Sequence, residues 1–275
     1  MRREIKKLLI VLVTTFVSLV LHVQVPTASP ITDDRLTELA RSLSFVGVVI
    51  LFFLVAYYLI ASVFLRYESK MSGAKYERGL TFGLLVGGIW WLGMIEAVFA
   101  LGTDFVTEAL TGLFDLIPIV VLCLLLSAFM VEDQRTIGRE RFDARSALVN
   151  AAVFLVIVVG GRVMRYFWGI GGHYLENIGL AVLWTAMFAL VISLSYTALS
   201  RAGFLARSPL KSALHFTFVL FGVHYALFVY FVPLIFKGLF VTVSIGFGYD
   251  LLFVFLSSLT SYWMFSRRQV CGKPL

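Results

Sequence analysis

Residues 239–265 read LFVTVSIGFGYDLLFVFLSSLTSYWMF: an apolar run broken by a single formal charge, Asp250, and followed after Ser266 by Arg267 and Arg268. A helix needs roughly 20 apolar residues to cross a bilayer, and this stretch is long enough. Its period is helical rather than alternating. Ser257, Ser261 and Gly246 all fall within about 40° of Asp250 at ~100° per residue, a polar stripe on one face of one helix.

The same pattern recurs along the chain. Candidate spans lie at 8–25, 43–65, 79–101, 111–131, 147–167, 178–199, 212–236 and 239–265. Of the 275 residues, 60% are hydrophobic and only 14% charged, against roughly 25% charged in soluble domains. The sequence therefore predicts an all-α integral membrane protein, a bundle of about eight transmembrane helices, with the lipid bilayer as its first partner.

Charge placement predicts the orientation. Arg2, Arg3, Lys6, Lys7, Arg66, Lys70, Lys75, Arg78, Arg135, Arg139, Arg141, Arg145, Arg201, Arg207, Lys211, Arg267, Arg268 and Lys273 fall on one side; they are 18 of the 23 basic residues. Arg35, Arg41, Arg162, Arg165 and Lys237 make the other 5. The positive-inside rule then puts both termini in the cytoplasm, with the plasma (inner) membrane as the expected location. The net charge of +7 is thereby read as topology, and no nucleic-acid partner is expected. A competing reading of the N-terminus is a signal peptide, basic over 1–7 and apolar over 8–21. Pro26 at the −3 position of a cleavage after Ala28 fits the small-residue rule poorly, which favours a retained helix.

The chain divides into residues 1–135 and 136–275, four spans each. An offset of 134 aligns Phe82 with Phe216, Gly88 with Gly222 and Trp91 with Tyr225; an offset of 135 aligns Asp115-Leu116 with Asp250-Leu251. Either this is chance similarity among apolar segments, or the halves are two parallel four-helix repeats, an arrangement found in transporters with the site at the repeat interface.

Charged groups within a span cost roughly 2.5–3.5 kcal/mol on the insertion scale and tend to face protein or water. Two candidate sites follow. The first is intramembrane and polar: Asp250, Ser257, Ser261 and His224, with a His224–Asp250 pair across the hairpin through Pro233 and Gly238. Its bland counterpart is an Asp bonded to a neighbouring helix, with the serines as interhelical glue. His215 lies nine residues from His224, on the opposite face, so the two are not a metal or haem pair. The second is an outer-leaflet ionic cluster: Glu96, Asp115, Arg162, Arg165, His173 and Glu176. Arg162 and Arg165 share a helix face at i, i+3, and guanidinium suits carboxylate or phosphate. The alternative has both arginines snorkelling to the headgroups, with Trp168 as an interfacial anchor. Gly79, Gly83 and Gly87 form a small-residue stripe for close helix contact, and Pro118 and Pro233 are expected to kink their helices. Thr32 or Asp33 is expected to cap a short interfacial helix over Asp34–Arg41, and Glu132–Ser146 to form a solvated connector.

Cys123 and Cys271 fall in different environments and offer no disulfide or metal spacing. No phosphate loop, His-Glu-x-x-His or Gly-x-Ser-x-Gly occurs, and no cofactor is expected. Three functions stay open. One is a secondary transporter or permease for a small solute, ion or lipid. Another is a membrane-embedded enzyme on a lipid or lipid-linked substrate, with Glu96, Asp115 or His173 as acid or base. The third is a non-catalytic subunit or assembly factor that binds a membrane-protein partner or a second copy.

Overall fold

The structure, a computed structural model, describes residues 2–25, 33–132, 144–170, 172–199 and 208–271. Eight helices are long and apolar enough to cross a membrane: α1 Arg2–His22, α2 Phe45–Tyr67, α3 Lys75–Leu101, α4 Phe105–Met130, α5 Ala144–Phe167, α6 Ile178–Leu199, α7 Pro209–Ile235 and α8 Phe240–Cys271. The described residues contain no strand, only an isolated antiparallel bridge between Leu36 and Phe236. The signal-peptide cleavage region from Pro26 to Ser29, most of the 132–146 connector and the basic residues at 201 and 207 lie outside the described residues.

Several helices begin earlier than hydropathy predicts because a polar side chain caps them. Asp104 accepts the amide of Thr107 at 2.8 Å and its hydroxyl at 2.9 Å, so α4 starts at Phe105 rather than near Thr111. Glu77 accepts the amide of Ala74 at 3.2 Å and draws the start of α3 back to Lys75. Ser208 accepts the amide of Lys211, with Pro209 pre-set for the first turn of α7. The Asp104 carboxyl is held below its ordinary value, chiefly by the Thr107 amide. A carboxyl whose folded pKa is lowered contributes stability above its unfolded pKa, about 3.9. That contribution disappears as pH falls through the folded value. Amide exchange at Thr107 is therefore expected to accelerate, relative to mid-helix amides, on acidification below about pH 4; Asp104→Ala should show the fast rate at neutral pH.

The short interfacial helix is present but shifted. It spans Glu38–Ser42, preceded by a 3-10 turn at Asp33–Arg35. Its cap is Thr37, not Thr32 or Asp33. The Thr37 hydroxyl accepts from Ala40 N at 3.1 Å and donates to Leu234 O at 2.7 Å, while Thr37 N donates to Ile235 O. This tertiary tie to the end of α7 selects the cap, and local sequence carries no sign of it.

In the bundle α3 packs along α4; α1 contacts α2 and α4; α5 contacts α6 and α8; α2 meets α7 and α3 meets α6. The glycine stripe lies in the α3–α4 contact. A Cβ built on Gly83 would stand 2.9 Å from Val120 Cα, and one on Gly87 3.1 Å from Leu116 Cα. Pro118 and Pro233 lie inside α4 and α7. Two helices carry a π-helical segment: Leu155–Val159 in α5 and Phe216–Phe221 in α7. An i→i+5 segment inserts an extra residue in the turn and rotates everything after it. Each sits just before a polar residue of the central site.

Candidate functional site

Five helical elements converge on one buried ionic network. Arg162 of α5 grips Asp250 of α8 side-on: Nε donates to Oδ1 at 2.8 Å and Nη2 to Oδ2 at 2.6 Å. Nη1 donates to Glu96 Oε1 of α3 at 3.1 Å, and Nη2 also reaches the Tyr225 hydroxyl of α7 at 3.0 Å. Tyr225 in turn donates to Asp250 Oδ2 at 3.0 Å. One turn along α5, Arg165 Nη2 donates to Glu96 Oε1 at 2.8 Å and to the Tyr174 hydroxyl at 3.0 Å; Tyr174 donates to the same Glu96 oxygen at 2.7 Å. Two guanidinium and two carboxylate groups balance in charge, the condition for burying them.

Burial is nearly complete. Arg162, Asp250 and Arg165 are 1%, 3% and 4% exposed; the Glu96 side chain, at 14%, is the most accessible member. Aromatic faces close the rest. The Arg162 guanidinium lies 4.8 Å from the Trp184 ring centroid and 4.5 Å from that of Phe188, cation–π distances. Trp184 is itself fixed by its indole N–H to Leu92 O at 2.8 Å. The Leu155–Val159 π segment precedes Arg162 and the Phe216–Phe221 segment precedes Tyr225, so both side chains owe their azimuth to an irregular turn.

This arrangement redraws both sets of sequence candidates. Asp250 is not paired with His224, since Arg162 takes both its oxygens. His224 is buried with Phe82 edge-on to its ring at 5.6 Å, and neither ring nitrogen has a hydrogen-bond partner among the described residues. Its backbone carbonyl accepts from Trp90 Nε1. Ser257 turns back to Phe253 O, and Ser261 Oγ is buried without a partner among the described residues; neither touches the ionic network, whose nearest member on α8 lies two turns away. Of the predicted outer cluster, Glu96, Arg162 and Arg165 come together. The other three do not. Asp115 pairs with His22 of α1 at 3.3 Å, because α4 packs on α1. His173 and Glu176 are exposed and bind each other at 2.7 Å in the loop before α6. Snorkelling of the arginines is overturned too: their heads turn inward, where carboxylates from α3 and α8 neutralise them. Trp168 stays exposed, against Tyr249.

Tyr174 and Tyr225 are the members that sequence reasoning did not place in the site. A buried Tyr must partner its hydroxyl, and Tyr225 stood in the repeat alignment opposite Trp91, but neither feature names Asp250 as its partner. No metal-holding group of His, Cys, Asp or Glu occurs among the described residues. Two open clefts, of about 490 and 260 Å³, lie at the opposite, basic end of the bundle around Arg3 and Met130.

Comparison of the chain with protein-family models, with curated proteins and with solved structures finds no match. The class of protein is accordingly set by fold and site alone: an all-helical chain with eight helices able to span a membrane.

Proposed function

We propose that this chain is a multi-pass membrane protein of the secondary transporter or permease class, moving a small solute, with both termini cytoplasmic in the plasma (inner) membrane. The observation that carries this reading is the Arg162–Asp250–Glu96–Arg165 network. Ionisable residues inside a span are costly and mark substrate or ion pathways; this one joins α3 of the first half to α5, α7 and α8 of the second. It ties together elements that alternating access would move apart, and its carboxylates are the groups a coupling proton would visit.

Contacts of the kind that a parallel duplication would produce support the same reading. Asp115 on α4 pairs with His22 on α1; Asp250 on α8 pairs with Arg162 on α5. In each half the last helix thus binds the first, at the two acids that the repeat alignment equates. The α2–α7 and α6–α3 contacts are likewise the pair that a two-fold axis along the membrane normal would interchange.

The test is flux. Protein in vesicles loaded with a pH-sensitive dye, under an inward proton gradient, should acidify the lumen faster when acetate, phosphate, an amino acid or a sugar is supplied outside. Empty vesicles set the baseline. Glu96→Gln, which keeps the shape and removes the titrating group, is expected to abolish the solute-dependent part. Lumen acidification that is the same with and without protein for every solute would remove the reading.

A second reading, a non-catalytic subunit or assembly factor, is favoured by α8. Only 17% of its apolar window is buried, against 28–50% in the other spans. Copurification of a stoichiometric partner that shields α8 from a membrane-soluble label would support it. Of the three acid–base candidates of the lipid-enzyme reading, Asp115 and His173 stand apart from the arginines and Glu96 alone lies beside them.

A further inference from the structure

We propose that the Arg162–Arg165 pair is a recognition site for a small organic carboxylate, and that Glu96 fills it here as a tethered stand-in. The proposal rests on the transport reading for the site's role, though not for the binding itself.

The Glu96 carboxylate sits as a bound ligand would. It receives Arg162 Nη1, Arg165 Nη2 and the Tyr174 hydroxyl through one oxygen, at 3.1, 2.8 and 2.7 Å. The Tyr225 hydroxyl is 3.4 Å from the other. Three donors from α5 and the turn before α6 thus converge on one carboxylate oxygen, while the Tyr225 hydroxyl, whose proton goes to Asp250 Oδ2, stands beside the other. Asp250 differs from Glu96 in kind. It is gripped side-on through both oxygens by Arg162 and is deeper, whereas Glu96 is held end-on and has the most solvent-accessible side chain of the four charged residues. Asp250 is the fixed counter-ion, and Glu96 is the one able to leave.

The donor set also exceeds what Glu96 uses. Arg165 is 4% exposed, yet its Nε has no partner among the described residues. Its Nη1 stands 3.7 Å from Asp250 Oδ2, beyond hydrogen-bond reach. A Cβ on Gly246 would come within 3.2 Å of Nη1, so the glycine keeps α8 clear of a side chain there. A buried donor left unmade is costly, and an anion free to place both oxygens would satisfy more of Arg165 than the tethered Glu96 does. The aromatic walls, Trp184, Phe188 and Tyr174, suit an anion with a short carbon skeleton.

Charge conservation then specifies the exchange. An incoming carboxylate replaces one negative charge with another only if Glu96 is neutralised or swings out to water. Protonated Glu96 gives up its hold on both arginines, and the site returns to zero net charge with one anion and one proton loaded. By the first route the device binds a carboxylate together with a proton; by the second it binds the carboxylate alone.

The experiment uses the full chain in detergent, with Glu96→Ala and acetate as the probe. Removing the tethered carboxylate leaves two guanidinium groups facing Asp250 alone. The variant is expected to unfold at lower temperature than wild type, and acetate is expected to restore it saturably, whereas chloride at equal ionic strength is not. Wild type should need at least about tenfold more acetate for a half-maximal effect, since Glu96 competes. Adding Arg165→Gln to Glu96→Ala should remove the acetate effect. Rescue by chloride as good as by acetate, or acetate rescue that survives Arg165→Gln, overturns the proposal. Should Glu96→Ala not fold, saturation-transfer NMR with propionate on wild type and on Arg165→Gln decides: transfer lost in the variant supports the site, and no transfer to wild type overturns it. Carboxylate binding without uptake into vesicles would leave the site standing and remove the transport reading. Uptake of another solute without carboxylate binding would do the reverse.

Discussion

Arg162→Leu is expected to be the most damaging single substitution in the ionic network, lowering stability by about 3–5 kcal/mol. The reason is asymmetry between pairing and stranding. With Arg162 present, Asp250 has both oxygens matched at 2.8 and 2.6 Å. Without it, the carboxylate keeps only the Tyr225 hydroxyl and an Arg165 nitrogen at 3.7 Å, and it stays buried. Removing both charges is a different event. Arg162→Leu with Asp250→Leu leaves Arg165 and Glu96 as a neutral pair, so the double variant should recover more than half of the loss, because replacing a buried ion pair by apolar groups is often close to neutral. Unfolding followed by intrinsic fluorescence in one fixed detergent measures all three chains. A double variant as unstable as the single one would mean that packing against Trp184 and Phe188, not charge, is what Arg162 supplies.

The second large effect is steric. Gly83→Leu should separate α3 from α4 and cost about 1–3 kcal/mol or more. A Cβ there already falls 2.9 Å from Val120 Cα, and backbone cannot move aside as a flexible side-chain end can. The control is on the same helix. A Cβ on Gly88 would stand 3.4 Å from Val191 Cγ1, a methyl group able to yield, so Gly88→Ala should be nearly silent. Gly160→Ala meets nothing within 4 Å and should raise stability slightly, by up to about 1 kcal/mol, through helix propensity. The order of unfolding midpoints, Gly160→Ala above wild type, Gly88→Ala near it and Gly83→Leu well below, is the result to check. Equal loss at Gly83 and Gly88 would mean that the close α3–α4 contact is not what Gly83 provides.

The helix count was legible because span length and apolarity are local quantities, carried by about 20 consecutive residues each. The candidate spans at 43–65 and 178–199 match α2 and α6 closely, where hydropathy changes abruptly at both ends. Starts were missed at α3, α4 and α7, where Glu77, Asp104 and Ser208 extend a helix into polar sequence through hydrogen bonds that hydropathy does not register. The stripe Gly79, Gly83, Gly87 was readable as a contact face because i, i+4 spacing places residues on one side of any regular helix.

Which charges meet was a different matter. Arg162, Arg165, Glu96 and Asp250 were each conspicuous as ions in apolar sequence, so the sequence alone marked each as costly in a bilayer and left open whether the arginines found partners or snorkelled outward. It did not determine the partner. Glu96 and Asp115 looked alike, both acids near the outer end of a span, yet α4 turns Asp115 to His22 and α3 turns Glu96 to the arginines. Asp250 looked nearest to His224 through the short hairpin, but Arg162 reaches it across the bundle from another helix. That choice depends on the rotation of each helix about its axis and on its neighbours. Here the rotations are reset by the π segments at Leu155–Val159 and Phe216–Phe221, where a 3.6-residue period no longer tells which way the next side chain points. Apolarity chose the helices one at a time; only packing of α3, α5, α7 and α8 together could bring two positive and two negative groups within hydrogen-bond distance, because pairing energy exists only once all of them are in place.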